Sequence, residues 1–271
     1  MPSIKIVLRG GGTRYPVYIG AFKELAKSGF KIEEALGTSA GAIAAGMLAS
    51  GQPLDRLHEL TRTALPSTML DPRAFPFWPF VDGTSGVIKG DLLLKFARDN
   101  LPKSYQDASL PLHISTHNWT RGENRVWISG DLPLHVRASM SLPIFDMVQI
   151  NGDYYEDGGV SGNFLLDYEG WIMRSSKQTP VIGLSLLSPG EGDPRPKPKN
   201  KLVRVSGTME DMINAADREH IEDAAFARVV YLKTKHSGLE FGMTAEDVDD
   251  MVAEGERGMA KGLAKIAAFL R

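Results

Sequence analysis

Apolar and polar positions alternate in blocks over the first fifty residues. Ile4 to Leu8 (IKIVL) is an apolar run broken by one lysine and reads as a short buried strand. It runs into three glycines. In the next block, PVYIGAFKELAKSG, Val17, Phe22, Leu25 and Ala26 fall close to helical spacing. Pro16 suits the first helical turn and Gly29 the stop. KIEEALG reads as a second strand, and AGAIAAGMLASG as a helix of small residues ending at Gly51. Strand, Gly turn, helix, strand, Gly turn, helix is a βαβα start, which predicts a parallel sheet flanked by helices.

Further along, the pattern is less regular. Leu65 to Phe80 (LPSTMLDPRAFPFWPF) is rich in proline and aromatics and excludes a regular helix. LPLHISTHNWT and NRVWIS read as a β-hairpin around RGE. LPLHVRASMS reads as a short helix. Asn151-Gly152 is a tight-turn pair between two short strands. PVIGLSLL is another buried strand, and Ser188 to Lys201, with four prolines and a basic cluster, reads as a mobile loop. Two helices around a strand, VVYLKT, close the chain, the last with a capping box at Thr244 and Asp247. No internal repeat or domain boundary is visible, so residues 1–271 read as a single domain.

Composition narrows the classes. A net charge of −2 across 271 residues gives no field directed at nucleic acid. With no cysteine, disulfides and Cys/His metal sites are excluded, which fits a reducing, cytoplasmic setting. Lys5 and Arg9 bracket the short N-terminal apolar run, which therefore does not read as a signal peptide. No run of about 18 apolar residues occurs, so membrane contact is expected to be peripheral.

Gly37-Thr38-Ser39-Ala40-Gly41 has the G-x-S-x-G pattern of a nucleophile elbow, set between a predicted strand and a predicted helix. There the serine hydroxyl is exposed on a sharp turn, and glycines relieve the collisions on either side. The same pentapeptide also fits a Gly-lined turn that only packs a helix on a sheet. A catalytic serine needs a base. Of six histidines (His58, His113, His117, His135, His220, His236), only His220 and His236 come late enough for the Ser-acid-His order of α/β-hydrolases. Both lie among charged residues and read as surface positions. His113 and His117 read as structural strand residues.

Gly10-Gly11-Gly12, between the first strand and first helix, can turn amide hydrogens toward one point and hold an oxyanion. It is not a dinucleotide fingerprint, whose sixth position is glycine where this chain has Tyr15, nor a P-loop, which needs Gly-Lys-Ser/Thr. Asp157 precedes Gly158-Gly159 just past the second hairpin. By itself its carboxylate reads first as an ordinary Asx-turn; a desolvated base beside a serine is the other reading.

Taken together, these three stretches resemble the patatin-like phospholipase family. That family has a Gly-rich stretch with a basic residue, then G-x-S-x-G, then Asp-Gly-Gly or Asp-Gly-Ala. RASMSLPIFDMVQINGDYYEDGG and GLEFGMTAEDVDDMVAEGERGM extend the resemblance over most of the chain. It implies a three-layer α/β/α fold with a mostly parallel central sheet. It implies a Ser39–Asp157 dyad without histidine, an oxyanion site at Gly10, Gly11 and Gly12 supported by Arg14, and a phospholipid or other fatty-acyl ester substrate. No metal or other cofactor is implied, and no calcium loop motif occurs. One departure is Tyr15, followed by Pro16, where the family usually has glycine after the basic residue.

An acyltransferase would share the same acyl-enzyme, and a non-catalytic lipid-binding protein would share the fold. Phe75, Phe77, Trp78 and Phe80 fit either a lid at a lipid interface or a cover over the core. Arg195, Lys197, Lys199, Lys201 and Arg204 fit either an anionic-lipid contact or a solvated loop. Oligomeric state has no signature in the sequence.

Overall fold

The computed structural model describes residues 2–73, 83–168, 179–187, 227–238 and 240–269. The aromatic run at 75–80, the basic cluster at 195–204 and His220 lie outside them. The predicted βαβα start is present as β1 (Ser3–Leu8), α1 (Pro16–Lys27), β2 (Lys31–Thr38) and α2 (Ala40–Ala49). Then come α3 (Leu54–Thr63), α4 (Asp91–Asn100), β3 (Leu112–Asn118), β4 (Glu123–Trp127) and α5 (Leu132–Ser139). The chain continues through β5 (Val148–Ile150), β6 (Asp153–Asp157), β7 (Val181–Leu187), β8 (Ala227–Lys233) and the long α6 (Ala245–Phe269).

The eight strands form one mixed sheet. Its centre is parallel: β3, β2, β1, β7 and β8 lie side by side in that order. The antiparallel part is at β3, which pairs with β4 and with the β5–β6 hairpin. One edge of β3 is shared end to end. Leu112 to Ser115 pair with β2, and Thr116 to Asn118 pair with β6, while β4 runs along the other edge. The hairpin therefore continues where β2 stops. Asn151 (φ 53°) and Gly152 (φ 92°) both take the positive φ that such a two-residue turn demands.

The main core lies on one face, where α1, α2 and α6 cover Ile4, Ile6, Leu8, Ala35, Ile182, Leu184 and Leu232. On the opposite face, Phe164, Leu165 and Leu166 cover Val7, Leu36 and Val181. The last helix starts at the predicted capping box: the Asp247 N–H donates to Thr244 Oγ1 (3.2 Å), and the Thr244 N–H donates to Asp247 Oδ2 (2.8 Å).

Two helices in the irregular middle were not predicted. Both carry helical spacing, Leu54/Leu57/Leu60 in α3 and Leu93/Phe96/Ala97 in α4, of which Leu57, Leu93, Phe96 and Ala97 are buried. Another correction concerns His236. It is buried rather than exposed, because strand alternation runs past Lys233: Leu232, Thr234 and His236 point inward, and Tyr231, Lys233 and Lys235 outward.

Candidate active site

Ser39 stands at the C-terminal end of β2 and caps α2 with φ 53° and ψ −119°, a conformation L-residues rarely adopt. Such a backbone costs on the order of 1–3 kcal/mol and persists only where its surroundings enforce it. The surroundings are visible on both sides. A Cβ on Gly37 would lie 2.3 Å from Gly41 O, and one on Gly41 would lie 2.1 Å from Leu8 O, so neither position has room for a side chain. The Ser39 N–H donates to Ser139 Oγ (2.9 Å), whose hydroxyl donates to Ser115 O (2.6 Å). This buried bridge from α5 to β3 holds the turn. Nothing in the sequence marked Ser139, since its role comes from long-range packing.

Asp157 reaches the serine through the sheet. Thr38 pairs with Ser115, and Asp157 pairs with Thr116, the next residue of β3. Register thus brings the end of β6 beside the residue following β2. The Ser39 hydroxyl donates to Asp157 Oδ2 at 2.7 Å, and the Gly159 N–H donates to Asp157 Oδ1 at 2.8 Å. The Asp157 N–H donates to Ser141 O (2.9 Å). Burial pushes the Asp157 carboxyl up to about 7; the bonds from Ser39 and Gly159 offset part of that rise, and the neighbouring Glu156 charge adds to it. Among the described residues no salt bridge reaches Asp157.

The Gly-rich turn lies beside the serine. A Cβ on Gly10 would come within 3.0 Å of Ser39 Cβ. The three glycines are not equivalent. Gly10 spends its N–H on Asn163 O (3.2 Å) and is not free to bind an oxyanion. The amides of Gly11 and Gly12 have no acceptor among the described residues. Arg14 donates to Gly11 O from Nε (2.9 Å) and from its backbone N–H (3.4 Å). In a trans peptide the N–H points opposite to the C=O, so anchoring Gly11 O turns the Gly12 N–H away from Arg14. Gly12 has φ 63°, and a Cβ there would strike Gly238 O at 1.9 Å. The 237–238 segment backs the turn directly: the Thr13 N–H donates to Gly238 O (2.9 Å) and Thr13 Oγ1 to Ser237 O (3.2 Å).

An open cleft leads to Ser39. Apart from Ser39, Thr13 and two glycines, its lining is apolar: Tyr15, Met69, Leu70, Leu93, Met140, Leu142, Phe145 and Phe241. Buried Arg137 ties the wall loops together through Gly90 O (2.8 Å), Lys89 O (2.6 Å), Asp146 O (3.1 Å) and the Ser141 hydroxyl. His236 pairs with Glu240 through Nδ1 (3.3 Å). Among the described residues no cluster of three or more His, Asp or Glu could hold a metal ion, and no helix is long and apolar enough to cross a membrane.

A mostly parallel α/β sheet with a serine on a strained strand–helix turn and an apolar cleft above it defines the class. The sequence profile of patatin-like phospholipases matches residues 6–168. The chain therefore belongs to the patatin-like phospholipase family, whose activity at the family level is lipid hydrolysis. It is 26% identical to the uncharacterised protein YqhO of Bacillus subtilis, with 93% of this chain and 94% of that one covered. It is 29% identical to human patatin-like phospholipase domain-containing protein 6 over 70% of this chain, a region that makes up only 14% of the human protein. Among solved structures, VipD from Legionella pneumophila matches over 97% of this chain and 67% of its own, with a TM-score of 0.55 at 15% identity, a likeness of fold.

Proposed function

We propose that the protein hydrolyses fatty-acyl esters through a Ser39–Asp157 dyad. The observation that carries this is the 2.7 Å hydrogen bond from Ser39 Oγ to a buried carboxylate with no cation beside it among the described residues, on the wall of an apolar cleft. A carboxylate raised to about 7 is a far stronger base than an exposed one and is still largely ionised at slightly alkaline pH.

In the first half-reaction, Ser39 Oγ attacks the ester carbonyl and its proton passes to Asp157. The tetrahedral oxyanion accepts hydrogen bonds from the amides of Gly11 and Gly12, next to the positive end of α2. As the intermediate collapses, the C–O bond to the alcohol breaks and Asp157 returns the proton to the leaving alkoxide. In the second half-reaction, water adds to the acyl-enzyme with Asp157 taking its proton. The fatty acid leaves and Ser39 is reprotonated. Gly10 contributes close approach to Ser39 rather than a donor, and Arg14 fixes the orientation of the Gly11–Gly12 peptide.

Labelling with a serine-reactive fluorophosphonate, together with turnover of p-nitrophenyl esters, tests this. Wild type is expected to label at one site and turn over esters, and Ser39→Ala to do neither. A Ser39→Ala protein with wild-type turnover contradicts the reading.

A further inference from the structure

The turn that carries the oxyanion donors and the turn that holds Asp157 meet on one side chain. Asn163 is buried, and its backbone oxygen accepts the Gly10 N–H (3.2 Å). Its side chain reaches further into the site. A Cβ on Gly10 would lie 2.0 Å from Asn163 Oδ1 and 3.0 Å from Ser39 Cβ, so those two atoms are at most 5.0 Å apart. A Cβ on Gly159 would lie 3.0 Å from Asp157 Oδ1 and 3.1 Å from Asn163 Oδ1, so the two oxygens are at most 6.1 Å apart. The Asn163 amide thus fills the space that two glycines leave open, one in each turn. Its own segment is fixed on both sides. The Ser161 and Gly162 N–H groups donate to Gly158 O (3.2 and 3.0 Å), and Phe164 and Leu166 are fully buried beneath the sheet. An asparagine suits the place, because its amide is polar but uncharged and adds no charge beside the Asp157 carboxyl.

We propose that Asn163 is a positioning residue for the hydrolysis: its side chain holds the oxyanion turn at a fixed spacing from Ser39 and Asp157. This rests on the ester-hydrolase reading above. Oxyanion donors stabilise the transition state only when they are aimed at the place where charge develops. A misplacement of about 1 Å can cost about 100-fold in rate. Without the Asn163 side chain the Gly10 N–H keeps its acceptor, which is a backbone oxygen. The oxyanion turn then loses the contact that sets its distance from Gly159.

The test is turnover of p-nitrophenyl butyrate, normalised to the sites that fluorophosphonate labels at completion, so that a lower folded fraction cancels. Asn163→Ala should lower kcat and kcat/KM by the same factor, about 10- to 100-fold, as for an interaction made in the transition state. The pH limb of its acylation rate should stay where it is in wild type, because Asp157 keeps its partners. Asn163→Asp keeps the shape and puts a second carboxylate beside Asp157, so its limb should move up by about one pH unit or more. Wild-type kcat per labelled site in Asn163→Ala, or a change in KM alone, overturns the positioning role and leaves the hydrolase reading standing. Where the alanine variant does not fold, the aspartate variant decides: a limb unmoved from wild type overturns the role as well. If wild type neither labels nor turns over any ester, the hydrolase reading itself fails, and the positioning role with it.

Discussion

Two buried carboxylates in the same sheet are held on opposite sides of the ordinary range. Glu34, near the start of β2, faces Lys5 on β1 and His113 on β3. Lys5 Nζ lies 2.8 Å from Glu34 Oε2, and His113 Nε2 lies 2.6 Å from Glu34 Oε1. Burial alone would raise its carboxyl. The hydrogen bonds from His113 and Lys5, and their charges, outweigh burial and hold it down at about 2. Asp157, at the end of β6, is also buried, but its partners are a hydroxyl and an amide, and it stands at about 7. Burial does not decide which carboxylate becomes a base; the presence or absence of a cation does. Glu34 ties neighbouring strands together, whereas Asp157 is left able to accept a proton.

The comparison can be broken at either site. The largest effect is expected from Asp157→Asn, which keeps the shape but cannot take a proton. Ester turnover should fall about 10⁴-fold, the scale on which a comparable serine catalytic group acts. Retained turnover would show that some other base serves Ser39.

Next in size is Lys5→Met, which leaves Glu34 partly uncompensated. Breaking a buried pair from one side costs about 3–5 kcal/mol of stability, measurable by urea denaturation at pH 7. Because the Glu34 carboxyl is lower in the folded chain than in the unfolded one, the stabilisation from its pairing is full above the usual glutamate range. It is lost as pH falls toward about 2, and the cost of Lys5→Met should shrink over that same interval. Dyad chemistry should be intact in the folded fraction.

The smallest effect has the opposite sign. Asp157 is raised in the folded state, so native stability falls as pH rises from the usual aspartate range through about 7. Asp157→Asn removes that penalty. It can keep both contacts, with its oxygen accepting from the Gly159 N–H and its NH₂ donating to Ser39 Oγ. The inactive variant should therefore be more stable than wild type by about 2–4 kcal/mol at pH 8, and the gain should vanish near pH 3.

Much of this arrangement was legible in local sequence. Pro16 and Gly29 marked the ends of α1, Asn151-Gly152 marked the β5–β6 turn, and G-x-S-x-G between strand and helix marked the elbow. α3 and α4 were legible in principle from their leucine spacing, but the proline- and aromatic-rich run between them drew attention to irregularity instead. His236 was misread because charged neighbours at Lys233 and Lys235 dominate a short strand whose inward face is period-two. What sequence does not encode locally is register. That Thr116 follows Ser115 on one edge of β3, and so juxtaposes Asp157 with Ser39, depends on pairings far apart in the chain. The same holds for Ser139 under the elbow and for Asn163, which occupies the Gly10 amide. Tyr15 was visible as a departure from the family pattern; in the fold it is buried and lines the cleft.

The central claim is that Asp157 is the base because it is buried with no cation beside it among the described residues. It is tested most directly by the pH dependence of Ser39 acylation, followed in single turnovers of a p-nitrophenyl ester from pH 4 to 9. The dyad predicts a rate that rises about tenfold per pH unit and levels off with an apparent pKa near 7, and no such limb in the residual rate of Asp157→Asn. A limb at the ordinary carboxylate position near 4, or one near 7 that survives in Asp157→Asn, would contradict it.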